Sequence, residues 1–183
     1  MNLEELRPTR HEHFLNRAKV VAEMSTCLRR KVGAIIVDKD GVELSSGYSG
    51  APRGVVHCIK FGNCLRMDLK IPSGEQYELC RSVHAEQNAI INAARTGASI
   101  VGGELYISSQ KLKGAYDNGE EPSKIYGPCI ICKKEIINAG LAKVHMREEG
   151  IGEQSYNLEK IKELLAEEEE DRRKKYKSAR PTS

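Results

Sequence analysis

Apolar residues near the start of the chain fall at helical spacing. Phe14, Ala18, Val21 and Ala22 recur on one side of residues 11–26, with Arg17, Lys19 and Glu23 off it, which predicts an amphipathic helix. The period then changes. Lys31-Val-Gly-Ala-Ile-Ile-Val-Asp38 has an unbroken apolar centre rich in β-branched residues, the mark of a buried strand. Asp38-Lys-Asp-Gly41 is a turn signal, and residues 42–48 follow as the partner strand of a hairpin. Residues 49–80 keep no period, because Gly50, Pro52, Gly54, Gly62, Pro72 and Gly74 break each one. Periodicity returns at residues 83–95, a helix with Ala85, Ala89, Ile90 and Ala93 inward and Gly97 past its end. Residues 105–109 read as a third strand, 110–127 as a second irregular loop, and Pro128 opens a helix carrying Ile131, Ile136 and Ile137. Residues 141–146 make a fourth, short strand. The alternation predicts an α/β sheet with helices on both faces.

The last segment is helical by composition. Acidic residues 167–171 precede basic residues 172–175, which sets Glu168–Arg172 and Glu170–Lys174 at pairing distance. It reads as a solvated charged helix and tail, with weak polyanion binding as the alternative. The expected division is a domain over 1–150 and an appendage over 151–183.

Composition narrows the function. The 183 residues carry 29 Lys+Arg against 26 Asp+Glu, a net charge of +3, which speaks against nucleic acid as the main partner. Aromatic residues are 5% and Trp is absent, which argues against an aromatic stacking platform for single strands. No apolar run reaches membrane-spanning length, and the first eight residues lack a signal-peptide core. The expected compartment is the cytoplasm, where the six Cys are thiols or metal ligands rather than disulfides.

Two short motifs carry chemistry. His84-Ala-Glu86 opens one predicted helix, and Pro128-Cys129-Ile-Ile-Cys132 opens another. Cys129 and Cys132 share a helix face, and a helix N-terminus favours the thiolate that a metal needs. With His84 they form a three-ligand set that suits zinc and leaves a fourth position for water. Glu86 lies about 200° around the helix from His84, beside the metal without binding it, as a general base requires. Either motif alone is weak, since an isolated His or Glu is more often a surface or core residue. Together, H-x-E and P-C-x-x-C are the signature of zinc nucleobase deaminases.

The chain resembles the cytidine deaminase superfamily, most closely its deoxycytidylate (dCMP) deaminase and late-competence branch, over residues 10–147. The resemblance is carried by Ser25-Thr-Cys-Leu-Arg-Arg-Lys-Val-Gly-Ala34, Gly47-Tyr-Ser-Gly-Ala-Pro-Arg-Gly54, His84-Ala-Glu-Gln-Asn-Ala-Ile90 and Pro128-Cys-Ile-Ile-Cys132. It implies a three-layer α/β/α sandwich around a five-stranded mixed sheet, usually as a homohexamer. It implies hydrolysis of dCMP to dUMP and ammonia, often with dCTP and dTTP as effectors. Alternatives are deamination of another nucleotide or of a nucleic-acid base such as tRNA adenosine, or a non-catalytic zinc-stabilised module. The expected substrate contacts are Ser49, Gly50 and Ala51 at the sugar, and Arg29, Arg30 and Arg53 at the phosphate. Two departures stand out: Ser49 replaces a common Asn, and the loop 110–127 is long. Some relatives hold a second zinc, with a Cys at the position of Cys27. Cys27, Cys58, Cys64 and Cys80, with His57 as a substitute ligand, are candidates for such a structural site; inert thiols or a redox pair are the other readings.

Overall fold

The computed structural model describes residues 7–72, 74–112 and 127–178. Helix α1 (Arg10–Ala22) starts at a capping box in which Thr9 and Glu12 bond each other's backbone, and it buries Phe14, Leu15, Ala18 and Ala22. It stops at Ala22, four residues earlier than the apolar spacing implies. The chain then enters β1 (Arg30–Val37), which turns back through β2 (Glu43–Tyr48). The hairpin turn is held by Asp38, whose Oδ1 accepts from the Asp40 and Val42 amides, with Gly41 at φ 89°.

The irregular stretch contains two single turns of helix, α2 (Cys58–Phe61) and α3 (Leu65–Asp68), and a 3₁₀ turn at Tyr77–Leu79. Then follow α4 (Ala85–Thr96), β3 (Glu104–Lys111), α5 (Ile130–Asn138), β4 (Lys143–Glu148), β5 (Gly152–Asn157) and α6 (Leu158–Ser178). The segment expected as loop 110–127 begins within β3, and its residues 113–126 lie outside the described residues.

The sheet order is β2-β1-β3-β4-β5. Only β3 and β4 run parallel; α5 makes the crossover between them. One face packs Ala34, Ile36, Leu105, Ile107 and Val144 against α4, α5 and Ile161 of α6. The other packs Ile35, Val37 and Tyr106 against Phe14, Leu15 and Ala18 of α1. This is the expected three-layer arrangement with five strands.

Contacts cross the division expected at residue 150. β5 pairs with the whole of β4, and Tyr156 and Ile161 are buried in the core. β5 is polar (Gly-Glu-Gln-Ser-Tyr-Asn) and buries only Tyr156, so no apolar alternation announces it. It is an edge strand, where one buried residue suffices. Among the described residues no helix is long and apolar enough to cross a membrane.

Candidate active site

The parallel pair β3–β4 sends α5 back over one face of the sheet, and α4 lies beside it over β1 and β2. Both helices begin near one point. His84 is the N-cap of α4, with extended backbone (ψ 159°), and its amide donates to Gln87 Oε1 at 2.9 Å. Cys129 is the N-cap of α5, with ψ 166°. Pro128 therefore sits just outside the helix rather than on its first turn.

His84 Nδ1 lies 3.3 Å from Cys129 Sγ and 3.4 Å from Cys132 Sγ. All three ligand atoms fall within 4.8 Å of one another, the one such group of His, Cys, Asp or Glu among the described residues. Tetrahedral zinc, at about 2.0–2.1 Å from nitrogen and 2.3 Å from sulfur, would hold such atoms ~3.5 Å apart. Both nitrogen–sulfur separations are close to that value, so the donor set fits zinc.

The electrostatics agree. Cys129 is lowered well below an ordinary thiol because Cys132 donates a hydrogen bond to it, with His84 assisting. Cys132 is raised in turn by that shared hydrogen bond and by burial. Without a metal the pair shares one negative charge, and both helix N-termini face it. Burial pulls His84 down, but its bond with Cys129 and the Glu86 charge outweigh this and leave it raised. Glu86 is 6% exposed, and burial raises its carboxyl above the ordinary value. Its charge acts on both His84 and Cys132, yet it stands outside the ligand set.

Comparison with known proteins bears on this geometry. A family model, the cytidine and deoxycytidylate deaminase zinc-binding region, matches residues 8–148. The chain belongs to that family. Zinc is accordingly the cofactor, and the His84–Cys129–Cys132 group is one that could hold it. The deoxycytidylate deaminase of Schizosaccharomyces pombe is 27% identical over 87% of this chain. That of Mycobacterium phage D29 is 32% identical over 75% of the chain. A crystal structure of dCMP deaminase from cyanophage S-TIM5, in complex with dCMP and dUMP, aligns over 91% of this chain and 93% of that one, with a TM-score of 0.53 and 27% identity. The chain spans 41% of the S. pombe deaminase's length and 94% of the phage D29 deaminase's.

The other residues expected at this site fare differently. Gly50 pairs with Val83 through both backbone hydrogen bonds, which sets Ser49, Gly50 and Ala51 beside His84. Ser49 is buried, and its carbonyl accepts from the Thr26 amide and the Ser25 hydroxyl. Arg30 already has partners. It ion-pairs with buried Glu148 and donates to Ser109 Oγ from both Nε and Nη2. Arg53 is exposed and donates to Asn92 Oδ1 at 2.9 Å, two helical turns along α4 from His84. Arg29 is half-buried, and its carbonyl takes the Leu112 amide.

All six cysteines are free thiols. Cys27, Cys58, Cys64 and Cys80 share one neighbourhood, close enough for their charges to act on one another. They do not reach the mutual ligand distance that His84, Cys129 and Cys132 show. His57 is committed elsewhere: its Nδ1 accepts from the Lys60 amide and caps α2.

Sequence reasoning passes over three groups at this site. Gln87 ties α4 to α5, donating from Nε2 to Glu135 Oε1 at 2.8 Å. Thr26 Oγ1 and Ser82 Oγ are buried without a hydrogen-bond partner near the Gly50–Val83 bridge. Tyr77 packs edge-on against His84, with ring centroids 5.3 Å apart. None belongs to a spacing that distinguishes it from an ordinary loop or helix residue.

Proposed function

We propose that this chain hydrolyses the 4-amino group of a cytosine nucleotide, converting dCMP to dUMP with release of ammonia. The observation that carries this reading is Glu86: a buried, non-ligating carboxylate beside a three-ligand zinc set at two converging helix N-termini. A purely structural zinc site has no use for it. A zinc ion would be held by His84, Cys129 and Cys132 and would supply the Lewis acidity that lets water lose a proton near neutral pH. Glu86 accepts that proton and delivers it to N3 of the pyrimidine as oxygen adds at C4. It then takes the remaining proton from that oxygen as the C4 carbonyl forms, and hands it to the amino group, which departs as ammonia. Its raised proton affinity suits both transfers. Ser49, Gly50 and Ala51 meet the sugar from the loop that Val83 anchors.

The 5′-phosphate falls to Arg29 and Arg53, since Arg30 is held by Glu148. Arg53 needs to leave only one hydrogen bond, to Asn92, to reach a ligand. The test is ammonia release from a panel of free and phosphorylated cytosine and adenine compounds. dCMP should be the best substrate, and an adenine compound or deoxycytidine performing better would defeat the reading. Arg53→Ala should lower kcat/KM for dCMP by about 10- to 100-fold, the worth of a charge-assisted contact. Deoxycytidine should be nearly indifferent. Equal losses on both substrates would make Arg53 a loop-shaping residue.

A second, structural zinc is proposed on Cys27, Cys58, Cys64 and Cys80. Supporting it are the mutual electrostatic influence of the four thiols and a surrounding segment that has little core of its own. His57, occupied as a helix cap, is left out. Elemental analysis of the purified protein should give two zinc ions per chain. One ion, with Cys64→Ser and Cys80→Ser leaving stability unchanged, would remove the second site.

The same reading makes the enzyme a cytoplasmic homo-oligomer, a hexamer by its resemblance, with dCTP and dTTP as effectors. Exposed Val55, Val56, Ile59, Phe61, Leu65 and Leu69 supply apolar surface for such an assembly.

A further inference from the structure

The charged helix α6 does not point all its charges at water. Glu168 accepts from Lys133 Nζ at 2.8 Å. Lys133 follows Cys132 on α5, and its side chain is 5% exposed. Stripped of Glu168, that ammonium would be buried and unpaired, so this contact fixes the position of α6 on α5. The other Glu168 oxygen takes Arg172 at 2.9 Å, the i,i+4 pair that the sequence predicts. The second predicted pair does not form; Glu170 is 3.8 Å from Arg173 instead.

Arg172 has a further partner. Its Nη2 donates to the Gly74 carbonyl at 2.6 Å, 98 residues away in sequence. One turn along, Lys175 ion-pairs with Glu75. The segment that α6 grips in this way leads to Tyr77. From its other side, buried Arg66 donates to the carbonyls of Pro72 and Glu75, and its guanidinium lies 5.1 Å from the centre of the Tyr77 ring. Tyr77 meets His84 at an interplanar angle of 77°.

A metal-binding histidine is commonly oriented by a carboxylate or carbonyl on its free ring nitrogen. Among the described residues His84 has no such partner: its hydrogen bonds run from Nδ1 to the two sulfurs. The Tyr77 ring is what stands against it.

We propose that Tyr77 is a positioning residue of the metal centre, seating the His84 imidazole for its ligand role, and that α6 is the strut that holds Tyr77 in place through Glu168, Arg172 and Lys175. The ring matters and the hydroxyl does not. The role belongs to the zinc centre described above and rests on it. Wild-type protein that carries no zinc at His84, Cys129 and Cys132 would indict that centre, not the strut.

The test is the rate of zinc transfer from the holoenzyme to excess chromogenic chelator, read beside helix content and steady-state kinetics. Tyr77→Phe should match wild type within about twofold. Tyr77→Ala should weaken zinc retention by about 10- to 100-fold, the range for residues that orient metal ligands, and lower kcat more than it raises KM. Glu168→Gln should act in the same sense by about threefold, and adding it to Tyr77→Ala should cost little more, because two residues acting through one contact are not additive. Wild-type zinc retention in Tyr77→Ala, or full additivity of the two changes, overturns the proposal. If Tyr77→Ala does not fold, Arg172→Ala and Glu168→Gln decide: both alter partly exposed side chains, and unchanged zinc transfer in both would overturn it equally.

Discussion

Glu86→Gln should abolish turnover while leaving the metal and the fold in place. The amide has the shape of the carboxyl, but it cannot accept and return a proton. General acid–base groups contribute about 10²–10⁴-fold, and a residue that serves as base and then acid should exceed the lower end. Glu86 is buried with its proton affinity raised by that burial, so the uncharged amide removes a desolvation cost as well. The variant should therefore be at least as stable as wild type. Zinc content, thermal melting and ammonia release on one preparation check the three outcomes. Loss of zinc together with activity would show that Glu86 ligates the metal, and retained turnover would move the proton shuttle to another group.

That centre was legible in the sequence because its chemistry is local. His84 and Glu86 lie within one helical turn, as do Cys129 and Cys132, and each pair opens a helix whose start is marked nearby. The sheet was legible where strands are apolar, as in β1, and illegible in β5, where a single buried Tyr156 does the packing. The arginines show the limit most clearly. Arg30 and Arg53 had the right charge for a phosphate, but what a guanidinium binds depends on the fold. Glu148 lies 118 positions from Arg30 and Asn92 lies 39 from Arg53, and no local pattern pairs them. The same holds for Lys133 with Glu168 and for Tyr77 with His84, which join segments that periodicity describes separately.

Two glycines in the recognised motifs offer the sharpest test of how the fold carries the site. Gly33 and Gly47 lie on neighbouring strands but face opposite helices. A Cβ on Gly33 would fall 2.3 Å from the Ala18 carbonyl and the Ala22 amide of α1. A Cβ on Gly47 would fall 2.3 Å from the Ala89 amide and 2.5 Å from the Ala85 carbonyl of α4. These neighbours are helix backbone, so relief requires a whole helix to move. Overpacking of this kind costs about 1–3 kcal/mol. For a chain of this size each kcal/mol lowers Tm by about 2–4 °C, so both Gly33→Ala and Gly47→Ala should melt roughly 2–12 °C earlier. Their effects on activity should part company. α1 lies on the face away from the metal, whereas α4 carries His84 at its N-cap and Glu86 in its first turn. α4 is also stitched to β2 on both sides of Gly47, through Ser45 Oγ to the Ala89 carbonyl and Asn88 Nδ2 to the Tyr48 carbonyl. Its displacement would carry both residues away from Cys129 and Cys132 on α5. Misplacing catalytic groups by about 1 Å costs up to 10²-fold, so Gly47→Ala should lose at least about tenfold in kcat at a temperature where it remains folded. Gly33→Ala, measured at that temperature, should keep kcat within about twofold, since none of its contacts reaches the reacting groups. Equal activity losses in the two variants would mean that the sheet transmits strain to both faces and that α4 holds no special link to the metal centre.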